Sequence, residues 1–513
     1  MSTAKRVIKN TMYLYIRMGV SIVLSFLSTR ITLQALGASD YGLYNVLAGA
    51  LSMLGFLSAS LSSTTQRFIS YAEGEGNSLK IKEIFNTAVF LHTCFSGIIC
   101  LLFIFAGFFF FNGILNIPEG RESISIAVYG CMIFSTVFAI TISPYDAILN
   151  AHENMKYYSI LGIFDVSIKL AIAITILHVR TIDKLLLYGV LMAGESFLYR
   201  VLTKYYCKRH YWEVKEIGFR GYVKKDLLKE ITSFAGWNLL NIASGILCLY
   251  GLNIIVNHYF GTTVNAAMGV ATQLSGVLMG LTQNMTKALT PVLVKEEGAK
   301  QRERVLQIAM IGCRFSLIVF GLFCIPLLFC ISPILELWLT EVPHFTIEFC
   351  RLMLISILCE QLFLFLQQAI IAEGNIKSYC ITKSIFNLLP LPLTVIAFQY
   401  GYSPTVSWIL RFVFFVAVGS FINYIFAIKR IHLSQRAFSL TVLTPCLLTV
   451  ICISLSSYLI DLAFRFDGVL VILKYLIMLL IAIPIAYCTG LLKSEKRVLL
   501  AHLKCYPRDY TSQ

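Results

Sequence analysis

Three cations set into apolar sequence are the residues best placed to do chemistry: Arg17, Arg67 and Lys287. Arg17 falls on one helical stripe with Asn10, Ser21, Ser25, Ser28 and Thr32, all within about 80° of one another at about 100° per residue. Arg67 closes a second stripe that holds Asn45, Gly49, Ser52, Ser60 and Ser63. Lys287 closes another with Asn265, Gly269, Thr272, Gly276, Gly280 and Gln283, and a fourth carries Ser233, Trp237, Asn241, Ser244 and Cys248. A guanidinium matches phosphate oxygens bidentately, so cations fixed in a hydrated cavity suit a phosphorylated ligand. The competing readings are helix packing through small residues for the stripes and lipid-headgroup contacts for the cations. The candidate binding set is Arg17, Arg67 and Lys287, with Ser21, Ser25, Asn45, Ser52, Ser63, Asn241, Thr272 and Gln283 as polar lining.

Glu360 is the other residue of chemical interest. It sits in mid-span with no cation one turn away, and Gln367 shares its face. A carboxylate left unpaired in a bilayer is protonated or binds a cation, which makes Glu360 the candidate for ion coupling; a structural hydrogen bond in the protonated form is the alternative. Other intramembrane charges have simpler explanations. Asp165 and Lys169 pair at i, i+4, while Arg30, Arg351 and Arg411 lie near enough to an outer end to snorkel.

The elements that must position these residues follow from composition. The chain has 513 residues, 58% hydrophobic and 13% charged, whereas soluble domains carry roughly 25% charged residues. That excludes an ordinary soluble protein and leaves an all-α, polytopic membrane protein, because the apolar runs are too long and too uniform for barrel strands. With about 20 residues per span, roughly fourteen helices are expected, at 11–36, 41–70, 84–111, 122–149, 158–178, 182–204, 231–257, 264–294, 305–331, 347–372, 379–400, 404–428, 438–463 and 468–492. The N-terminal basic flank lacks a small-residue cleavage site and reads as a retained first helix. The cysteines lie mostly inside apolar runs, and no CxxC or His/Cys group has zinc spacing. Cys207 and His210 read as solvated residues of a basic loop, so neither metal nor cofactor is expected.

The formal charge of +15 has a topological reading that needs no nucleic acid. Placing the N-terminus inside assigns about 26 basic residues to inner segments, from Lys5, Arg6 and Lys9 to Arg508. Only about 4 fall outside, namely Arg121, Arg180, Lys184 and Arg465. This puts both termini in the cytoplasm. The two halves also echo each other. Ala151, Asn154, Lys156 and Tyr158 recur with identical spacing as Ala372, Asn375, Lys377 and Tyr379, while Leu36-Gly37 and Glu73-Gly74 correspond to Phe260-Gly261 and Glu297-Gly298. The expected organisation is an N-lobe (1–204), a basic linker (205–230), a C-lobe (231–428), two appended helices (438–492) and a tail (493–513). Six spans per half make these parallel repeats around a central cavity.

The run from Arg30 through Leu36-Gly37 to Tyr41-Gly42-Leu43-Tyr44-Asn45, and Gln66-Arg67-Phe68-Ile69-Ser70, resemble the polysaccharide (O-antigen, Wzx-type) flippases of the multidrug/oligosaccharidyl-lipid/polysaccharide exporter superfamily. The resemblance covers essentially the whole chain. It implies two lobes around a cationic cavity and outward movement of undecaprenyl-diphosphate-linked sugars across the bacterial inner membrane by alternating access. Arg17, Arg67 and Lys287 would then meet the diphosphate and the polar stripes the sugar hydroxyls. The implied partners are the lipid-linked oligosaccharide, membrane lipids, and a polysaccharide polymerase or glycosyltransferases. A lipid II flippase and a cation-coupled multidrug antiporter of the same superfamily are the alternatives. An enzyme is not expected, since no sizeable catalytic segment or DxD occurs, and no GxxxxGK[ST] motif points to ATP.

Overall fold

The computed structural model describes residues 3–52, 55–114, 117, 120–215, 223–339, 341–464, 468–492 and 495–496. Within them the chain is helical and contains no strand. Residues 216–222 of the basic linker, with Arg220, then Arg465, and nearly all of the 493–513 tail, with its cations Lys493, Arg497, Lys504 and Arg508, lie outside the described residues.

The helices are α1 (Thr3–Ser52), α2 (Gly55–Gly74), α3 (Ser78–Asn112), α4 (Glu122–Ala151), α5 (Met155–His178), α6 (Lys184–His210), α7 (Lys225–Gly298), α8 (Arg302–Trp338), α9 (Thr346–Gln361), α10 (Leu364–Glu373), α11 (Lys377–Gln399), α12 (Thr405–Ile431), α13 (Gln435–Ala463) and α14 (Leu470–Gly490). Among the described residues eleven helices are long and apolar enough to cross a membrane, up to twelve if α9 and α10, bent by 48° at their break, count as one span. α1 and α7 each turn in mid-course at a glycine, Gly37 (φ 78°, ψ 167°) and Gly261 (φ 79°, ψ −175°). That backbone region is essentially closed to residues with a Cβ. Gly261 falls between the expected segments 231–257 and 264–294, and Gly37 between 11–36 and 41–70, so each long helix holds two of the segments that the sequence separates or the start of the second. Large side chains such as Phe26, Leu101, Phe105, Ile254 and Leu480 are exposed on the helices, as a multi-pass membrane protein requires.

The chain forms two compact units, Met1–Ala243 with Lys287–Gln301, and Ser244–Thr286 with Arg302–Gln513. In the first, Leu43, Leu47 and Leu51 of α1 pack with Ile99 and Phe103 of α3, Val128 to Ile140 of α4 and Leu185 of α6. A smaller cluster of Leu14, Met155 and Ala288 joins α1, α5 and the last turns of α7. Polar side chains fix the helix starts. Asn77, Asn154 and Asp183 cap α3, α5 and α6 by accepting backbone N–H bonds, and Arg121 ties Asp183 to Asp40. In the second unit, Cys330, Ile460, Val471 and Met478 hold α8, α13 and α14 together. The fully buried Arg314 of α8 binds the Thr441 carbonyl, in a π-helical turn of α13, and the Glu495 carboxylate. A π-turn frees a carbonyl from the helical ladder, and Arg314 occupies it.

One local expectation is corrected here. α6 continues to His210, so Cys207 is helical and fully buried against the Tyr145 carbonyl, and His210 stacks on Tyr206. Cys207 is therefore not a solvated residue and neither residue lies in a loop, although His210 is exposed at the end of α6.

Candidate functional site

In the first unit α1 lies along α5, and the small residue there is Gly162. A Cβ at Gly162 would stand 2.1 Å from Nε of Arg17, so the guanidinium fills the space that a side chain would take. One turn earlier on α5 is Tyr158. The Arg17 Cζ lies 4.6 Å from its ring centroid, and the Lys287 Nζ, from the end of α7, lies 3.5 Å from it. Lys287 also hydrogen-bonds to Tyr158. α4 brings Asp146, which is coupled electrostatically to both cations, and whose Oδ1 is enclosed without a hydrogen bond from the described residues. Tyr199 of α6 completes the group, coupled to Asp146, Tyr158 and Arg17. Two cations, one carboxylate and two phenols leave a net positive site. Ring faces hold the cations by cation–π attraction, which leaves N–H groups free to bind an anion.

The other residues expected at the site have surroundings of their own. Arg67 is buried in an aromatic box, 4.9 Å from the Phe68 ring and 5.0 Å from those of Tyr71 and Phe234. Asn238 donates to Ser63 Oγ at 2.8 Å and Ser60 donates to the Ala235 carbonyl at 2.8 Å, so this part of the stripe packs helices together. Ser21 Oγ is enclosed, Asn241 is buried, and Ser25 is exposed. Asn45, also exposed, donates to the Tyr41 carbonyl. The Ser52 side chain lies outside the described residues. In the second unit Thr272 donates back to the Met268 carbonyl, and Gln283 is exposed. Arg30 and Arg351 are exposed, as snorkelling requires.

The second unit corrects the picture of an isolated Glu360. The helix breaks just after it, between α9 and α10, and the carboxylate is coupled to Arg411 of α12 and Lys383 of α11. Neighbouring helices supply the compensation that its own helix lacks. Arg411, expected at an outer end, is instead buried between Trp408 (5.3 Å) and Phe415 (4.7 Å), because those rings and Cys248 enclose it. Lys383 donates to Gln367 Oε1 at 2.6 Å, to the Tyr379 hydroxyl at 3.1 Å and to Asn423 Oδ1 at 3.2 Å.

With the geometry established, the chain can be placed among known proteins. It aligns with a MATE protein in complex with MaD3S at a TM-score of 0.72 and 13% identity, over 83% of this chain and 96% of that one. The fold is that of the MATE transporters. An outward-facing multidrug resistance MATE family transporter of the MOP superfamily gives 0.70 and 13%, over 85% and 97%. A MOP superfamily transporter from Pyrococcus furiosus, described as having a binding pocket of reverse polarity, gives 0.69 and 13%, over 84% and 96%. Residues 245–396 match the MatE family model. No curated protein matches the sequence.

Within this MATE fold, the first unit contains a cavity of about 470 Å³. Tyr44, Leu51, Phe95, Phe103 and Met132 make it largely apolar, with Lys169 and Glu195 at its polar side. Asp165 accepts from Lys169 at 2.9 Å, the i, i+4 pair expected from sequence, and also contacts Glu195. Sequence reading missed Glu195, Asp146 and Lys383. A signal existed for the last two: they lie 221 residues from Gln367 and Gly162, the offset of the repeated Ala-Asn-Lys-Tyr pattern.

The same unit of the MATE fold is tied at the end bearing the N-terminus. Lys295 pairs with Glu73 at 2.5 Å and Glu153 at 3.8 Å, and Arg6 with Glu153 at 2.7 Å. His152, stacked on Tyr211, lies 3.4 Å from both Glu73 and Glu213. Burial favours neutral imidazole, yet pairing with Glu213 and Glu73 outweighs it and raises the His152 pKa to about 9. Burial likewise opposes ionisation of Glu73, and His152 with Lys295 overcomes it, holding that carboxyl below its usual range. The backbones touch here: a Cβ on Gly74 would meet the Lys295 carbonyl at 2.0 Å, and one on Gly298 the Tyr71 carbonyl at 2.1 Å.

Proposed function

We propose that the protein is a flippase that moves a diphosphate-linked, lipid-anchored oligosaccharide from the inner to the outer leaflet of a bacterial inner membrane by alternating access. The observation that carries this reading is the convergence of Arg17 and Lys287 on Tyr158, two cations in a fold whose solved examples are transporters. Paired cations suit the two charges of a diphosphate, and the arginine can bind its oxygens bidentately. Arg67 would meet the same headgroup earlier or later in its passage. With the cell interior negative, outward movement of negative charge is favoured by about 2.3 kcal/mol per charge per 100 mV. Glu360, set between Lys383 and Arg411, is the candidate for ion coupling as a second energy source. The basic inner segments support cytoplasmic termini; a reporter fused to the C-terminus and active only outside the cell would overturn that orientation.

The test is surface glycan in cells that carry Arg17→Ala or Lys287→Ala. Both variants are expected to insert normally and to export no glycan, and full export by both would sink the reading. One observation favours a second reading. The 470 Å³ cavity of the first unit has the size of a drug-like molecule, and one solved relative is a multidrug transporter. Efflux of a lipophilic cation by the wild type, lost in Glu195→Gln and unchanged in Arg17→Ala, would select the antiporter.

A further inference from the structure

The Arg17–Lys287 site contains its own anion. Asp146 is coupled to both cations, and an enclosed Oδ1 receives no hydrogen bond from the described residues. An enclosed carboxylate oxygen without a donor depends on nearby positive charge to remain ionised. The repeat gives independent support. The residue 221 positions later is Gln367, which binds the Lys383 ammonium at 2.6 Å beside Tyr379, the counterpart of Tyr158. The same place on the helix therefore serves a cation above the same tyrosine in both units. Only in the first unit does it carry a charge.

Resting on the diphosphate reading above, we propose that Asp146 is a specificity-determining residue: a resident counter-anion that an incoming headgroup must outcompete for Arg17 and Lys287. Two cations against one carboxylate leave a single unbalanced positive charge. A phosphodiester lipid brings one negative charge and gains little by displacing a carboxylate already in place. A diphosphate brings at least two and can satisfy both cations at once. The bilayer offers phosphodiester lipids in great excess, so an internal competitor rejects the common headgroup more strongly than the rare one, which is specificity through a built-in repulsive element.

The experiment uses the purified full chain in detergent, with farnesyl diphosphate as the diphosphate probe and dioctanoyl phosphatidylglycerol as the phosphodiester probe, and calorimetry as the readout. Wild type is expected to prefer farnesyl diphosphate. Asp146→Asn is expected to bind the phosphatidylglycerol about tenfold more tightly, with a smaller gain for the diphosphate and therefore poorer discrimination. Unchanged or uniformly weakened binding of both probes overturns the proposal. If Asp146→Asn does not fold, Asp146→Gln, which installs the residue used at 367, takes its place. Failure of wild type to bind farnesyl diphosphate in an Arg17-dependent way would refute the diphosphate reading itself. Asp146 would then be judged on the phosphatidylglycerol arm alone: an Arg17-dependent gain sustains the counter-anion role, and no gain ends it.

Discussion

The two units place a cation above a tyrosine in different ways. In the second, the cation belongs to the helix: Lys383 is one turn after Tyr379 and is held by Gln367, Tyr379 and Asn423. In the first, the position equivalent to Lys383 is Gly162, and the cations come from other helices, Arg17 of α1 and Lys287 of α7. Their partner is the charged Asp146 where the second unit has neutral Gln367. A cation satisfied within its own neighbourhood is a structural element. Cations delivered by separate helices, and only half neutralised, retain charge for a ligand and can part when those helices move. On the function proposed above, the first unit would carry the binding chemistry and the second a packed polar core.

The largest test of that contrast is steric. Gly162→Leu keeps every charge but expels Arg17 from its slot, and export measured as surface glycan should fall on the order of 100-fold, as displacement of a positioned group does. Gly162→Lys in an Arg17→Ala background, which copies the second unit, should restore part of the loss. Next, Lys383→Met leaves the Glu360 side of the second unit short of a cation. Its thermal midpoint in detergent should drop by the equivalent of about 3–5 kcal/mol, while folded protein keeps its export; specific loss of export without loss of stability would reverse the assignment of roles. Glu360→Gln should lose stability likewise, and its export decides the coupling role: export lost while folded protein is retained supports that role, and unaltered export removes it.

A smaller effect depends on pH. The folded pKa of His152, about 9, exceeds the unfolded value near 6.5. Its contribution to stability is therefore complete below about pH 6.5, declines above it and is lost as pH passes about 9, amounting to roughly 1–3 kcal/mol. The equivalent residue of the second unit is Glu373, a carboxyl paired with Arg430 at 3.5 Å. Unfolding midpoints between pH 6 and 10 should thus slope downward in wild type and flatten in His152→Gln; parallel curves would refute the His152 assignment. Smallest is Arg30→Ala, an exposed site, expected within about 0.5 kcal/mol of wild type.

How much could be read from sequence varies by residue. The all-helical class, the segment breaks that contain Gly37 and Gly261, and the pairing of Asp165 with Lys169 follow from local pattern, since hydropathy, run length and i, i+4 spacing are properties of one segment. Arg17 and Lys287 could be singled out because a cation in an apolar run is anomalous by itself. Their meeting at Tyr158 could not, because 141 positions of the chain before 158, and 129 after it, separate the ring from its two cations. Glu360 misled for the same reason. Its own helix holds no counter-charge within a turn, and two other helices supply it.

Sequence alone therefore determined the class of the molecule, its lipid-facing helices, the repeat and the short list of unusual charges. These depend on hydropathy and spacing, which a chain carries before it folds. Tertiary structure decided which charges neutralise one another: that Arg67 is wrapped by rings, that Arg411 is interior, and that Asp146 shares a site with Arg17 and Lys287. Electrostatic free energy depends on distance and local dielectric, and between helices both are fixed only when the helices pack.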